Sequence, residues 1–277
     1  MIQITEQEFA KLTAYIHTEY GIELKKEKQL LLMGRLHKLL VELGFKTFTD
    51  YYNYLTSDKT GEASLVLIDK VSTNHTFFMR EPDHFEYLKN TVLPNLKPKK
   101  EQANNRDIRL WCAASSTGEE PYTLAMILAE FFGSESKLWD KKLLATDISN
   151  KVLEIAKKGV YEKERIQPLP PMWKLRYFQK YDDNHVKVTD DIKKEVIYRR
   201  FNLMTPNFVF KKKFDIIFCR NVMIYFNQLT KDQLVEKMYQ CTEPGGYLFI
   251  GHAESLNLKN TNYKFIMPAV YQKPLSS

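Results

Sequence analysis

Four polar clusters in this 277-residue chain have the residue types and spacing to hold a ligand. Gly118, Glu119 and Glu120 follow the apolar run 108–114 and the small turn Ser115-Ser116-Thr117. Asp147 closes LLATD, Asn202 stands in RFNL, and Arg220-Asn221 closes FDIIFCRN. A buried strand, a small-residue turn and a helix start suit a nucleotide-like ligand, and Gly118 has no Cβ to hold the backbone away from it. The carboxylates argue against a phosphate, and neither GxGxxG nor GKS/GKT occurs. A ligand with positive charge and no phosphate, such as S-adenosylmethionine with its sulfonium and ammonium, suits these acids. The same glutamates also serve simply as acids against a helix dipole. Asp147 lies 29 residues beyond Gly118, further than the usual ~20, and is placed to accept the hydroxyls of a ribose. Asn202 is a reader for an adenine edge.

These groups need an open sheet to bring them together. Continuous apolar strands are expected at 108–114, 143–147, 196–203, 214–220 and 246–252, with helices at 121–132, 151–158 and 229–241. That alternation predicts a parallel sheet covered on both faces, with ligands at the carboxyl ends of its strands. The runs 263–267 and 270–273, split by Pro268-Ala269, predict an antiparallel hairpin at one edge. The layout is that of an α/β, Rossmann-like class I methyltransferase domain. Its rhythm stops between 159 and 198, where prolines precede a short helix (172–177) and a ribbon, 178–181 with 185–189, around Asp182-Asp183-Asn184. This predicts an inserted antiparallel β subdomain over 160–198.

Upstream, Thr5 and Glu8 form a capping box opening a helix that Gly21 ends. Further helices are expected at 27–43, around Tyr51, Tyr52 and Leu55, and at 63–71, the apolar stripe of the second being Leu30, Leu31, Leu36, Leu39, Leu40 and Leu43. Together they make an N-terminal helical domain over 1–75. A connecting helix (82–92) and a polar, proline-containing linker (94–107) complete 76–107, and the methyltransferase domain spans 108–277.

Composition sets limits. The chain is 44% hydrophobic, and no apolar run approaches the ~20 residues of a membrane helix. The N-terminus lacks signal-peptide character. The three cysteines lie far apart in apolar segments, with no CxxC, so a cytoplasmic protein with no metal site is expected. The net charge of +7 is uneven: residues 141–213 carry 18 Lys/Arg against 9 Asp/Glu. That basic region and the insert are the candidate docking surface for an acidic partner.

Six segments carry a family resemblance: TNHTFFMRE (73–81), WCAASSTGEEPYTLA (111–125), ATDIS (145–149), FNL (201–203), FDIIFCRNVMIYF (214–226) and GGYLFIGHAESL (245–256). In them the chain resembles the chemotaxis receptor glutamate methyltransferases, the CheR family. The resemblance implies S-adenosyl-L-methionine as cofactor, leaving as S-adenosyl-L-homocysteine, and methyl esterification of glutamates on the cytoplasmic signalling helices of chemoreceptors. It implies cofactor contacts from Asn74, Thr76 and Arg80, from Glu119 or Glu120, and from Asp147, Asn202, Leu203, Arg220 and Asn221. By the same resemblance Tyr225 would lie near the transferred methyl and orient the glutamate, and Arg80 would grip the cofactor carboxylate. Members that tether to a receptor's C-terminal peptide use glycines in the insert loops; residues 160–198 contain none, which counts against that mode. Two other readings remain. The basic region suits nucleic-acid methylation, although Arg220-Asn221-Val222-Met223 replaces the N-P-P-Y or D-P-P-Y element of amine methylation. A cofactor-binding signalling protein without turnover is the other.

Overall fold

The computed structural model describes residues 2–275. Thr5 accepts from the Glu8 amide and Glu8 from the Thr5 amide, opening the helix Glu6–Tyr20; Gly21, with φ 70°, closes it. The helices Gln29–Glu42, Phe48–Ser57 and Glu62–Val71 pack on it around Leu12, Ile16, Leu36, Leu40, Tyr51 and Leu67. The expected leucine stripe is only partly internal: the buried face is Leu32, Leu36, Leu39 and Leu40, Leu30 and Leu31 fall to its sides, and Leu43 caps the helix end, so these three are exposed.

The expected linker 94–107 is instead largely helix. Pro82–Tyr87 runs through a π-turn, Leu88–Val92, into Leu93–Gln102. Pro94 has no N–H and would clash with the carbonyl four residues earlier in a regular helix. The wide turn relieves this: the Leu93 amide bonds Leu88, five residues back. Burial of Leu88, Val92, Leu93 and Leu96 against the sheet outweighs the polar composition that suggested a loop.

The main sheet holds β1 (Leu110–Ala113), β2 (Leu143–Asp147), β6 (Val196–Arg200), β7 (Phe214–Cys219), β8 (Thr242–Ile250), β9 (Lys264–Met267) and β10 (Val270–Gln272). Its order is β6-β2-β1-β7-β8-β10-β9, parallel except where β10 meets β8 and β9. The chain builds outward from β1 in one direction and then in the other, so a crevice opens beyond the carboxyl ends of β1, β2 and β7. Trp111 fills one face of the sheet among Phe201, Phe208, Phe210 and Phe214; Phe218 and Phe249 stack on the other with centroids 4.3 Å apart. The insert is a three-stranded sheet, β3-β5-β4, from β3 (Val160–Glu162), β4 (Phe178–Lys180) and β5 (His185–Val188). The β4–β5 ribbon was expected; β3, three residues long, was not.

Candidate cofactor site

The loop after β1 is bent at three points of positive φ: Ala114 (63°), Ser116 (48°) and Gly118 (100°). Asp147, at the end of neighbouring β2, holds it. One carboxylate oxygen accepts the Ser116 amide at 2.8 Å, the other the Ser149 amide at 3.0 Å. Burial pushes the Asp147 pKa up, against the pull of those two amides. Gly118 has a different task from the expected one. A Cβ there would meet the Tyr161 hydroxyl at 2.8 Å and the Ala156 methyl at 2.9 Å, so the missing side chain makes room for the protein's own packing. Gly118→Ala is expected to cost about 2–4 kcal/mol from the left-handed backbone and the overlap together, read by thermal unfolding.

Beside β1, the end of β7 carries a buried ion network. The Arg220 guanidinium bonds Glu120 at 2.6 Å, Glu81 at 2.9 Å and the Arg80 carbonyl, and lies over the Phe85 ring at 5.2 Å. Burial works against the Arg220 charge, but the two carboxylates outweigh it and raise its pKa. Asn221, with φ 58°, donates from its side chain to the other Glu81 oxygen at 3.1 Å. Burial raises the Glu81 pKa, yet Asn221 and Arg220 bring it net below its ordinary value. Glu81 itself has φ 58°, and with Met79 at 60° it bends 73–81 down onto the strand ends.

Between these floors and the helical domain lies a cavity of about 730 Å³, the size of a small-molecule site. Asn74, Thr76, Arg80, Asp147, Asn202, Leu203, Arg220, Asn221 and Tyr225 all line it. Glu120 lines it too; Glu119 and Gly118 do not. The cavity-facing acid of the pair is therefore Glu120. Asn202 is partly committed within the protein: its amide donates to the Glu19 carbonyl at 2.8 Å and accepts from the Met204 amide at 2.9 Å. It anchors the helical domain to the sheet and keeps one N–H and one oxygen lone pair for a ligand in the cavity. The Arg80 guanidinium donates to the His75 carbonyl at 2.8 Å, shaping its own loop. Tyr225 sits on a 3₁₀ turn, Met223–Tyr225, and its carbonyl accepts from the Glu23 amide at 2.8 Å. The lining also includes Lys25, Lys28, Lys231 and Arg35, the last bonded to the Val71 carbonyl and Thr73, together with Glu23 and Glu27.

Glu119 turns away from the cavity toward the insert. It is fully buried, accepts from Thr117 at 2.7 Å and pairs with Arg165, which also reaches the Thr76 carbonyl at 3.3 Å. Tyr161 of β3 donates to the Thr117 carbonyl at 2.7 Å. The insert is thus braced against the cofactor loop through two residues that sequence reasoning missed. Burial raises the Glu119 pKa despite Thr117 and Arg165. Arg165→Ala is expected to cost about 3 kcal/mol, since it strands a buried carboxylate, and Glu119→Gln in that background restores part of the loss. Thermal unfolding of the three variants checks this.

Behind the network, His84 is fully buried with neither ring nitrogen hydrogen-bonded, 3.6 Å from Glu81 and edge-on to His252. Glu81, His84 and His252 bring possible ligand atoms within 4.8 Å of one another, but the carboxylate is committed to Arg220 and Asn221. Burial, reinforced by the Arg220 charge, lowers the His84 pKa from 6.5 to about 4. Between those values the unfolded chain binds a proton that the folded chain does not. Stability therefore falls as the pH drops through that window, by about 3 kcal/mol. Urea unfolding from pH 7 to pH 4 is expected to show this fall, and His84→Phe to flatten it.

A parallel sheet with an antiparallel edge, and a cavity at its central strand ends floored by acids, define a Rossmann-like methyltransferase. Residues 74–271 match the CheR methyltransferase SAM-binding domain, and residues 7–72 the CheR methyltransferase all-alpha domain. The chain belongs to the CheR methyltransferase family, and S-adenosylmethionine is its cofactor. It is 44% identical to a chemotaxis protein methyltransferase of Borreliella burgdorferi over 98% of this chain and 96% of that one. It is 34% identical to that of Vibrio parahaemolyticus (92% and 91% covered) and 33% to that of Escherichia coli (92% and 87%). Among the described residues no helix is long and apolar enough to cross a membrane.

Proposed function

We propose that this protein methylates glutamate side chains on the cytoplasmic signalling helices of chemoreceptors, in the cytoplasm. The observation that carries the reading is that one cavity joins Glu120 and Asp147 of the strand ends to Lys25, Lys28 and Arg35 of the helical domain and to Lys231. Glu120 and Asp147 suit the charge and hydroxyls of the cofactor, whereas Lys25, Lys28, Arg35 and Lys231 suit an acidic segment entering from outside. S-adenosylmethionine supplies an activated methyl to a carboxylate oxygen and departs as the neutral thioether.

The protein has little proton chemistry to do. A glutamate carboxylate, pKa about 4.3, is already a nucleophilic anion at neutral pH. No general base is needed; the work is alignment and exclusion of water. In this reading Asp147 holds the ribose, Asn74, Thr76 and Arg80 close over the cofactor from 73–81, and Asn202, Leu203 and Asn221 complete the cradle. Tyr225 orients the incoming carboxylate. Arg220, neutralised by two carboxylates, acts by fixing Glu120 and Glu81. The tilt toward an acidic protein also draws on the basic region 141–213 and on exposed Met172, Leu175 and Tyr181 of the insert.

The test is incubation with methyl-labelled cofactor and, in parallel, a chemoreceptor cytoplasmic fragment, its Glu→Ala variants at the labelled positions, and RNA. Label on the fragment that is lost with those glutamates supports the reading. Label on RNA alone would transfer the protein to nucleic-acid methylation.

A further inference from the structure

The cavity loop Arg220–Tyr225 takes its backbone hydrogen-bond partners partly from outside itself. Asn221 stands at φ 58°, in the left-handed region that few residues other than glycine occupy and asparagine tolerates best. The 3₁₀ turn Met223–Tyr225 that follows has no side-chain cap of its own. Beside the Asn221 side-chain bond to Glu81 and the Glu23 amide on the Tyr225 carbonyl, one carboxylate from a distant turn ties both together. Glu254 is about nine-tenths buried and is not among the cavity walls. One of its oxygens accepts the Asn221 amide at 2.9 Å and the Gly251 amide at 2.6 Å; the other accepts the Ile224 amide at 3.1 Å. Gly251 belongs to the same device. A Cβ there would come within 2.9 Å of the Asn221 amide nitrogen, so only glycine lets the two turns close on each other.

We infer that Glu254 is a positioning residue, whose carboxylate fixes the Asn221 backbone and the Tyr225 turn in the geometry the cofactor site uses. It acts through those two residues and touches neither cofactor nor substrate. Three amide donors converge on it, so the acceptor must offer lone pairs at both oxygens, as a carboxylate does. An amide in its place turns an NH₂ toward one of the donors and leaves that donor unpaired. The inference rests on the cofactor site and on the proposed placement of Asn221 in it, and not on which substrate is methylated.

The test has two readouts on the full chain. In the first, S-adenosylhomocysteine is titrated calorimetrically into wild type, Glu254→Gln, Asn221→Ala and the double variant. The expected result is binding at least about tenfold weaker in Glu254→Gln. Asn221→Ala should then cost at least about threefold less in that background than in wild type, because residues acting as a unit do not add. Wild-type affinity in Glu254→Gln, or additive losses, would overturn the inference. The second readout is amide hydrogen exchange at Asn221 and Ile224, expected to accelerate at least about tenfold in Glu254→Gln while exchange in β7 and β8 is unchanged. Unchanged exchange at the two amides would also overturn it. If Glu254→Gln does not fold, Glu254→Asp, which keeps the charge and shortens the reach, is expected to give intermediate values of both. If Asn221→Ala alone leaves binding intact, the placement of Asn221 at the cofactor fails, and the role of Glu254 is decided by exchange.

Discussion

Asp147→Ala is expected to abolish measurable S-adenosylhomocysteine binding, a loss of at least about 100-fold, while the protein stays folded. Two effects combine. The carboxylate accepts the Ser116 and Ser149 amides, and its removal frees the loop at Ser116, where the backbone already stands at positive φ. It is also the buried acid that would take the ribose hydroxyls. Hydrogen bonds to a charged group contribute about 1.5–3 kcal/mol each, and 1.4 kcal/mol is tenfold in affinity. Asp147→Asn keeps one acceptor oxygen and is expected to lose less. Calorimetry on the three proteins separates these contributions, and equal affinity in all three would remove Asp147 from the site.

Arg220→Leu is the second large effect. It takes the cation from between Glu81 and Glu120 and leaves two largely buried carboxylates facing an apolar side chain. Breaking such a network by removing one partner costs about 3–5 kcal/mol, which for a chain of this size lowers the unfolding midpoint by roughly 10 °C. Cofactor binding is expected to fall with it, because Glu120 loses the partner that orients it in the cavity. The pH dependence changes too. Glu81 is held below its ordinary pKa, so its contribution to stability is present above the unfolded value and is lost as the pH falls through the folded one. Without Arg220 that contribution shrinks, and the variant is expected to lose less on acidification than wild type. A double variant, Arg220→Leu with Glu81→Gln, should recover part of the midpoint. A midpoint within about 2 °C of wild type in the single variant would show that the network does not stabilise the fold.

The sheet was legible because its central strands β1, β2 and β7 are mostly apolar runs that end on or lead into polar groups, and the first helix because Thr5 and Glu8 announce its start. The helix Leu93–Gln102 was hidden by Pro94, Pro98 and its lysines; it exists because the core covers Leu93 and Leu96, a tertiary effect that local pattern does not carry. In the site, the positions of Asp147 and Arg220 followed from the strand ends. Their partners did not. Glu81 meets Arg220 across 139 residues, Glu119 meets Arg165 across 46, and Glu254 meets Asn221 across 33. Each of these pairs is decided by where the 73–81 segment, the insert and the β8 loop cross the strand ends. The choice between Glu119 and Glu120 has the same cause: adjacent helix positions face different ways, and only Arg165 and Arg220 decide which is which. Asn202 lines the cavity, and its side chain also bonds the Glu19 carbonyl, a contact that only the docked helical domain supplies.

The proposed reaction places the methyl group on a carboxylate oxygen. The most direct measurement is mild alkaline treatment of a chemoreceptor cytoplasmic fragment labelled by this protein, followed by collection of volatile methanol. An ester releases its methyl group under these conditions and an N-methyl group does not. The predicted result is that the label leaves as methanol and that fragments lacking the labelled glutamates yield none. Label that stays on the fragment through alkali would contradict the account.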